Sequence, residues 1–168
     1  TAGDRVGESM TSMSAGELAD TIVGEMAASD RVEVDVMEVA DGAALELPRD
    51  GLATAIRAIV QNGLDASPPD ATVRLRVVRE ESALIVTVGD RGSGMTAEEA
   101  ERALEPFFTT KDVGSGMGLG LYLASSFVED LGGNIEIHSA PGLGTVVGLV
   151  LPLAKSGELT VTTHSGMR

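Results

Sequence analysis

The apolar positions Leu52, Ile56, Ile59, Val60 and Leu64 fall at spacings of 4, 3, 1 and 4. That rhythm predicts an amphipathic helix over residues 50–66. A second helix is predicted from Ser14 through Ala28. Leu18, Ile22, Val23 and Met26 form its apolar face, and Ser14 with Glu17 three residues on makes a capping box. Val32, Val34 and Val36 alternate with Glu33 and Asp35, the period of a half-buried strand. Ala43 to Leu47 reads as a short strand stopped by Pro48. Asp70 to Glu80 and Ala83 to Asp90 read as a strand pair turning near Glu81 and Ser82. A short helix follows from Thr96 to about Leu104. Residues 105–117 lack periodicity and are rich in Gly and Thr, which predicts a mobile loop. Gly118 to Leu131 is a predicted helix ended by Gly132 and Gly133. Asn134 to Ser139 and Thr145 to Leu151 are strands joined by a Pro-Gly-x-Gly turn.

Strands and helices do not alternate strictly in this order. The pattern predicts an α/β two-layer sandwich, a mixed sheet of about five strands covered on one face by about three helices. Residues 1–13 are small and polar and read as a flexible lead-in, 14–154 as one domain, and 155–168 as a tail. At 168 residues a chain buries on the order of 70% of its unfolded surface and folds without staples.

Composition removes several functions. Without cysteine there are no disulfides or thiolate metal sites, and two histidines, His138 and His164, are too few for a histidine zinc site. The net charge of -14, from 26 acidic and 12 basic residues, disfavours nucleic acid or an anionic membrane as partner. Aromatic residues make up 2% of the chain, so base-stacking platforms are absent as well. No apolar run reaches membrane-span length and nothing resembles a signal peptide. The chain starts at Thr1, as a processed product or excised fragment would. The expectation is a soluble, cytoplasmic, monomeric fragment, with a membrane-anchored parent left open.

Four clusters carry chemistry. Asn62 lies near a helix end in VQNGLDAS. Gly89-Asp90-Arg91-Gly92-Ser93-Gly94-Met95 follows an apolar strand. Glu105-Pro-Phe-Phe-Thr-Thr-Lys111 leads into GSGMGLGL, residues 114–121. Gly142-Leu-Gly-Thr145 is the last. Glycines ahead of a helix N-terminus let backbone N–H groups approach an anion, so Gly118 and Gly120 suit phosphate. Asp90 can accept a hydrogen bond from a ligand amino group, beside glycines that permit a flat ring. Asn62 offers an amide oxygen, a hard ligand for magnesium, and Lys111 is the one cation in the mobile loop. Singly, each has a plainer reading: a helix cap, a turn, a solvated lysine, and in Phe107 and Phe108 a hydrophobic anchor for the loop. In this order and spacing the plain readings lose force.

The set resembles the N, G1, F, G2 and G3 boxes of sensor histidine kinases, in the superfamily that also holds gyrase, Hsp90 and MutL. The resemblance covers roughly residues 45–152, and GSGMGLGL, EPFFTTK and the closing GGNIEIHSAPGLGT are its specific strings. NGLDASPP, GMGLGLYLA and SAPGLGT look closest to redox-responsive, photosynthesis-regulating sensor kinases. The resemblance implies a Bergerat-type ATP-binding fold and the cofactors ATP and Mg²⁺. Asn62 would hold the metal. Asp90 would bind the adenine amino group with Gly94 close by, and Thr145 would support that pocket through a water. Lys111 would reach the γ-phosphate, and Gly116, Gly118 and Gly120 with the following amides would wrap the phosphates. Residues 109–117 would be the ATP lid. The wider site expected from the resemblance adds Ala66, Gly92, Met95, Phe108, Thr109, Thr110, Met117, Leu119 and Leu121. Two positions depart from the family pattern. Gly63 replaces a common alanine and should loosen the helix turn, and Asp65 stands where many members place a lysine, so one phosphate contact is lost.

Rival readings weaken on inspection. Hydrolytic members carry a glutamate general base one turn before the box asparagine; here that position is Ala58. Gly92-x-Gly94-x-x-Ala97 matches a dinucleotide fingerprint, but the expected second strand with an acidic end does not follow. No P-loop occurs. The resemblance places the phosphoacceptor histidine on a separate dimerising helical domain, which would pass phosphate to a response regulator. His138 reads as structural or exposed in a strand and His164 lies in the tail, so the fragment should not phosphorylate itself. A nucleotide-sensing module without transfer, or a slow ATPase, are the alternatives.

Overall fold

The computed structural model describes residues 9–38, 44–111 and 117–153. Strand β1 (Met10–Met13) leads to α1 (Ala15–Gly24), a single 3-10 turn, β2 (Val32–Glu38) and β3 (Leu45–Pro48). Helix α2 (Arg49–Ala66) precedes the hairpin of β4 (Val73–Arg79) and β5 (Ala83–Gly89). Short α3 (Ala97–Arg102), α4 (Gly120–Asp130) and the hairpin of β6 (Asn134–Ala140) and β7 (Gly144–Pro152) complete the chain.

The main sheet has the order β2-β4-β5-β7-β6. β2 runs parallel to β4 and every other neighbour pair is antiparallel, so the sheet is mixed. Alternation decides which side is covered. Val73, Leu75 and Val77 of β4, Leu84, Val86 and Val88 of β5, and Val147, Leu149 and Leu151 of β7 are buried. They meet Leu52, Ile56, Ile59, Val60 and Leu64 of α2, with Leu18 and Ile22 of α1 and Ala124 and Val128 of α4 in the same core. Each fully buried aliphatic side chain contributes about 1.5–3 kcal/mol. The helical rhythm of α2 therefore fixes its roll on the sheet, and with it the direction of Asn62.

Local signals start and stop the elements. Ser14 and Glu17 form the expected capping box: Ser14 Oγ accepts from the Glu17 N–H at 3.1 Å, and the Glu17 carboxylate from the Ser14 N–H at 2.8 Å. Thr96 and Glu99 repeat it at α3. α1 ends at Gly24 rather than Ala28. Glycine is a poor helix residue there, and the next residue, Glu25, turns its carboxylate to Arg57 on α2. α3 stops at Arg102, short of Leu104. α4 begins at Gly120, not Gly118, because Gly118 has a φ of +68° that no right-handed helix contains.

One boundary needs correcting. Residues 10–13 belong to the expected lead-in, yet they pair antiparallel with β3, Met10 opposite Pro48 and Met13 opposite Leu45. Met13 is 1% exposed and part of the core. Four residues are too few for a two-residue period to declare itself. Residues 1–8 and the expected tail lie outside the described residues.

Candidate functional site

Where β5 ends, five segments enclose a cavity of about 310 Å³, at the small end of the range for small-molecule sites. α2 supplies Ile59, Asn62, Gly63 and Ala66. β5 and the turn after it supply Val88, Asp90, Ser93, Gly94 and Met95. Ala103, Phe108, Thr109, Thr110 and Lys111 form one wall, and Met117, Gly118, Leu119, Gly120 and Leu121 another; Thr145 and Val147 of β7 close it. Of the positions expected from the sequence, all but Gly92 and Gly116 line this cavity. Gly116 lies outside the described residues. Gly92 packs behind it: a Cβ there would come 2.6 Å from the Ala66 carbonyl oxygen, so only glycine lets the turn lie on the end of α2.

At one end of the cavity Asp90 is held by its own turn. Its Oδ1 accepts from the Gly92 N–H at 2.8 Å and the Thr145 N–H at 3.1 Å, while its N–H donates to the Thr145 carbonyl at 2.9 Å. Oδ1 is thereby occupied and Oδ2 is left for other partners. Gly144, at φ +79°, lies so close to the Asp90 carbonyl that any Cβ would overlap it. This contact clamps the β6–β7 turn against Asp90.

The other end of the cavity lies at the start of α4. α1 and α3 carry side-chain caps, but α4 has none and no acidic residue in its first turn. Its opening N–H groups therefore remain available beside the cavity. A Cβ on Gly120 would lie 3.8 Å from the Asn62 amide and 3.9 Å from the Ala58 methyl. Asn62 and Ala58 thus face the same helix start. Among the described residues no cluster of three or more His, Cys, Asp or Glu could hold a metal alone. A magnesium ion that takes one amide oxygen from Asn62 and the rest from phosphates and water fits this donor set.

The wall before residue 112 is anchored to the residues that lead into α4. The Phe107 N–H donates to the Gly118 carbonyl at 3.0 Å, and a Cβ on Gly118 would meet the Phe108 carbonyl at 2.5 Å. The Arg102 guanidinium stacks over the Phe108 ring, 4.6 Å from its centre. The two phenylalanines do not share the role of hydrophobic anchor. Phe108 faces the cavity, whereas Phe107, at φ +65°, is 73% exposed. Lys111 lines the cavity but is engaged: its Nζ lies 2.7 Å from Asp65 Oδ2. Burial raises the Asp65 carboxyl, but hydrogen bonds from Lys111 and Gln61 and the lysine charge outweigh it and hold the carboxyl below its ordinary range. The lid expected over 109–117 falls partly on residues 112–116, outside the described residues.

Ile59, Gly63, Val88, Ser93, Ala103 and Val147 also line the cavity, although the sequence alone did not place them in the site. Three were within reach of simple spacing. Ile59 stands one helical turn before Asn62, and Val88 and Val147 stand two strand positions from Asp90 and Thr145. Ser139 of β6 had no such signal; its hydroxyl lies 2.8 Å from that of Thr145.

Residues 48–155 match the family described as histidine kinase-, DNA gyrase B-, and HSP90-like ATPase. The chain belongs to that family. Its relatives are sensor kinases. It is 34% identical over 95 residues to sporulation kinase C of Bacillus subtilis, covering 56% of this chain and 22% of that protein. It is 28% identical over 145 residues to the signal transduction histidine-protein kinase AtoS of Escherichia coli, covering 84% of this chain and 24% of that protein. The chain thus spans about a quarter or less of these relatives. A mycobacterial sensor histidine kinase, MprB, shares the fold with a TM-score of 0.71 at 22% identity, covering 87% of this chain and 99% of that structure. The domain is accordingly of the histidine-kinase ATPase type, and the mixed sheet with helices on one face is that family's fold. Among the described residues no helix is long and apolar enough to cross a membrane.

Proposed function

We propose that this chain binds ATP with Mg²⁺ and donates the γ-phosphate to a histidine on a separate dimerising helical domain of a parent sensor kinase. The observation that carries the proposal is the pairing of Asn62 with Ala58 opposite the uncapped start of α4. One side of the cavity offers phosphate a helix start, and the position facing it from α2, one turn before Asn62, is an alanine, which cannot act as a general base. Asp90 would take the adenine amino group through Oδ2, with Gly94, Met95 and Thr145 around the ring and Ala66 and Gly92 behind. Asn62 would hold Mg²⁺, which when bound neutralises phosphate charge and fixes its geometry. Gly118, Gly120 and the amides of Leu119 and Leu121 would receive the phosphates, with Gly116, Met117, Thr109 and Thr110 in the closing lid. Lys111 would leave Asp65 to meet the γ-phosphate. The helical domain supplies the imidazole and a response regulator takes the phosphate onward, while the domain itself acts as a monomer. The redox-responsive, photosynthesis-regulating subclass belongs to this proposal on the strength of the sequence strings alone.

The test is transfer in trans. With a cognate dimerising helical domain and radiolabelled ATP, label should appear on that domain's histidine, and should vanish with a partner His→Gln change or with Asn62→Ala. Because no covalent linker raises the effective concentration, transfer should be slow. Label on this chain alone would overturn the account. ATP binding with no transfer to any histidine domain would favour a nucleotide-sensing module, and rapid phosphate release a hydrolase.

A further inference from the structure

Ser139 on β6 stands outside the cavity, with its hydroxyl at the centre of three polar contacts. The Met95 N–H donates to Ser139 Oγ at 2.8 Å, the Gly144 carbonyl oxygen lies at 3.0 Å, and Thr145 Oγ1 lies at 2.8 Å. A serine hydroxyl has one proton and two lone pairs. The Gly144 carbonyl can only accept, so at 3.0 Å it requires the serine proton; otherwise two acceptors would be pressed together. One serine lone pair takes the Met95 N–H. The contact to Thr145 must also hold a proton, and the only one left is the threonine's. One arrangement satisfies all four groups: Thr145 donates to Ser139, and Ser139 donates to Gly144.

We infer that Ser139 is a positioning residue that sets the base specificity of the cavity by fixing the polarity of Thr145. With its proton committed to Ser139, Thr145 Oγ1 presents lone pairs alone to the cavity it lines. Asp90 presents Oδ2, its other oxygen being taken by two backbone N–H groups. The base end thus offers two acceptors and no hydroxyl donor. The inference sets the purine 6-substituent between these two acceptors: an exocyclic amino group has two protons and can donate one to each, whereas a 6-oxo oxygen there meets two acceptors. The inference rests on the ATP-binding reading above and adds to it the source of its selectivity.

The experiment measures Kd for ATP and for inosine triphosphate, with Mg²⁺, by calorimetry. Without Ser139 the Thr145 hydroxyl is free to rotate and donate to a 6-oxo group. Ser139→Ala should therefore narrow the preference for ATP by about tenfold, one hydrogen bond's worth of discrimination. Ser139→Thr, which keeps the hydroxyl, should retain the wild-type preference. Thr145→Val, near-isosteric and without a hydroxyl, should narrow it comparably, and adding Ser139→Ala to it should change the ratio no further. A purely structural role for Ser139 would weaken both nucleotides in equal proportion, and that result overturns the inference. So does a wild-type ratio in Thr145→Val, which stands as a test even if Ser139→Ala fails to fold. If the wild-type chain binds no ATP, the proposed function itself has failed; if it binds ATP and the ratio does not move, only the role of Ser139 has.

Discussion

Replacing Asp65 with asparagine should tighten ATP binding, and more so for ATP than for ADP. Asp65 lies one helical turn past Asn62 and holds Lys111 at 2.7 Å. If Lys111 is to meet a terminal phosphate, this ion pair must first open. Two opposite charges at 2.7 Å attract by about 1.5 kcal/mol in bulk water. The side chains are 31% and 39% exposed, and pairs so open to solvent are worth about 0–1 kcal/mol once screening and side-chain ordering are counted. The upper end sets the expected gain, up to about fivefold in Kd for ATP. Asparagine keeps the shape of the side chain and an oxygen for the Gln61 amide, which donates to Asp65 at 2.7 Å, so helix α2 should be undisturbed. Calorimetry with ATP and ADP, each with Mg²⁺ and at low and high salt, measures the effect. The gain should shrink at high salt and should be small for ADP, which has no γ-phosphate. A variant that binds ATP more weakly would refute the reasoning and point instead to Asp65 assisting the metal. An equal gain for ADP would show that the loss of negative charge acts on the whole ligand rather than through Lys111.

Further outcomes follow from the same geometry. Because the Asp65 carboxyl is held below its ordinary value, its pairing is complete above the ordinary carboxylate range and is lost only as pH falls through the lowered value; between about pH 5 and 8 the pair should persist, which an NMR titration of the Asp65 carboxyl would show. Asp90→Asn should weaken ATP by about 1.5–3 kcal/mol, the worth of a hydrogen bond to a charged group, measured as Kd by calorimetry. Met13→Ala should destabilise the domain by about 2–5 kcal/mol in urea unfolding, since Met13 is a core residue; a surface-like effect below about 0.5 kcal/mol would return residues 10–13 to a lead-in.

The two-layer architecture was legible because it rests on periodicity. The apolar rows of α2, β4, β5 and β7 are long enough for their repeat to stand out, and a repeat determines which face is buried. Short or irregular pieces carry no such repeat. β1 is held by a partner strand 32 to 38 positions away, from Met13 with Leu45 to Met10 with Pro48, and no local pattern reports a contact of that separation. The cavity lining was legible for a different reason: glycine and carboxylate strings at a strand end and at a helix start have few other uses when they occur in series. What the strings did not reveal was who holds whom. Lys111 reads as a free cation until Asp65 is seen beside it. Gly63 reads as a loosened helix turn, yet a Cβ there would lie 3.2 Å from Asp90 Cβ and 3.3 Å from a Val73 methyl. Its bareness lets the end of β5 approach α2, a packing role that helix propensity alone does not express.

The arrangement also bears on where a nucleophile must come from. His138 alternates along β6 with Ile135 and Ile137, which pack toward the helices. It therefore points to the uncovered face of the sheet, 75% exposed at the side chain and beside Glu136. The cavity opens between α2 and α4, on the covered face. A strand cannot turn one side chain from one face to the other without slipping its register by one residue, and that slip would bring every buried residue of β6 to the surface. His138 is thus kept from the cavity by the same alternation that builds the core. Residue 58 is an alanine and no histidine occurs among the described residues lining the cavity, so under the proposed reading the acceptor imidazole comes from another domain. The proposed function therefore expects a bound triphosphate to persist while the phosphoacceptor is undocked, and slow phosphate release from the chain with ATP and Mg²⁺ alone would bear this out.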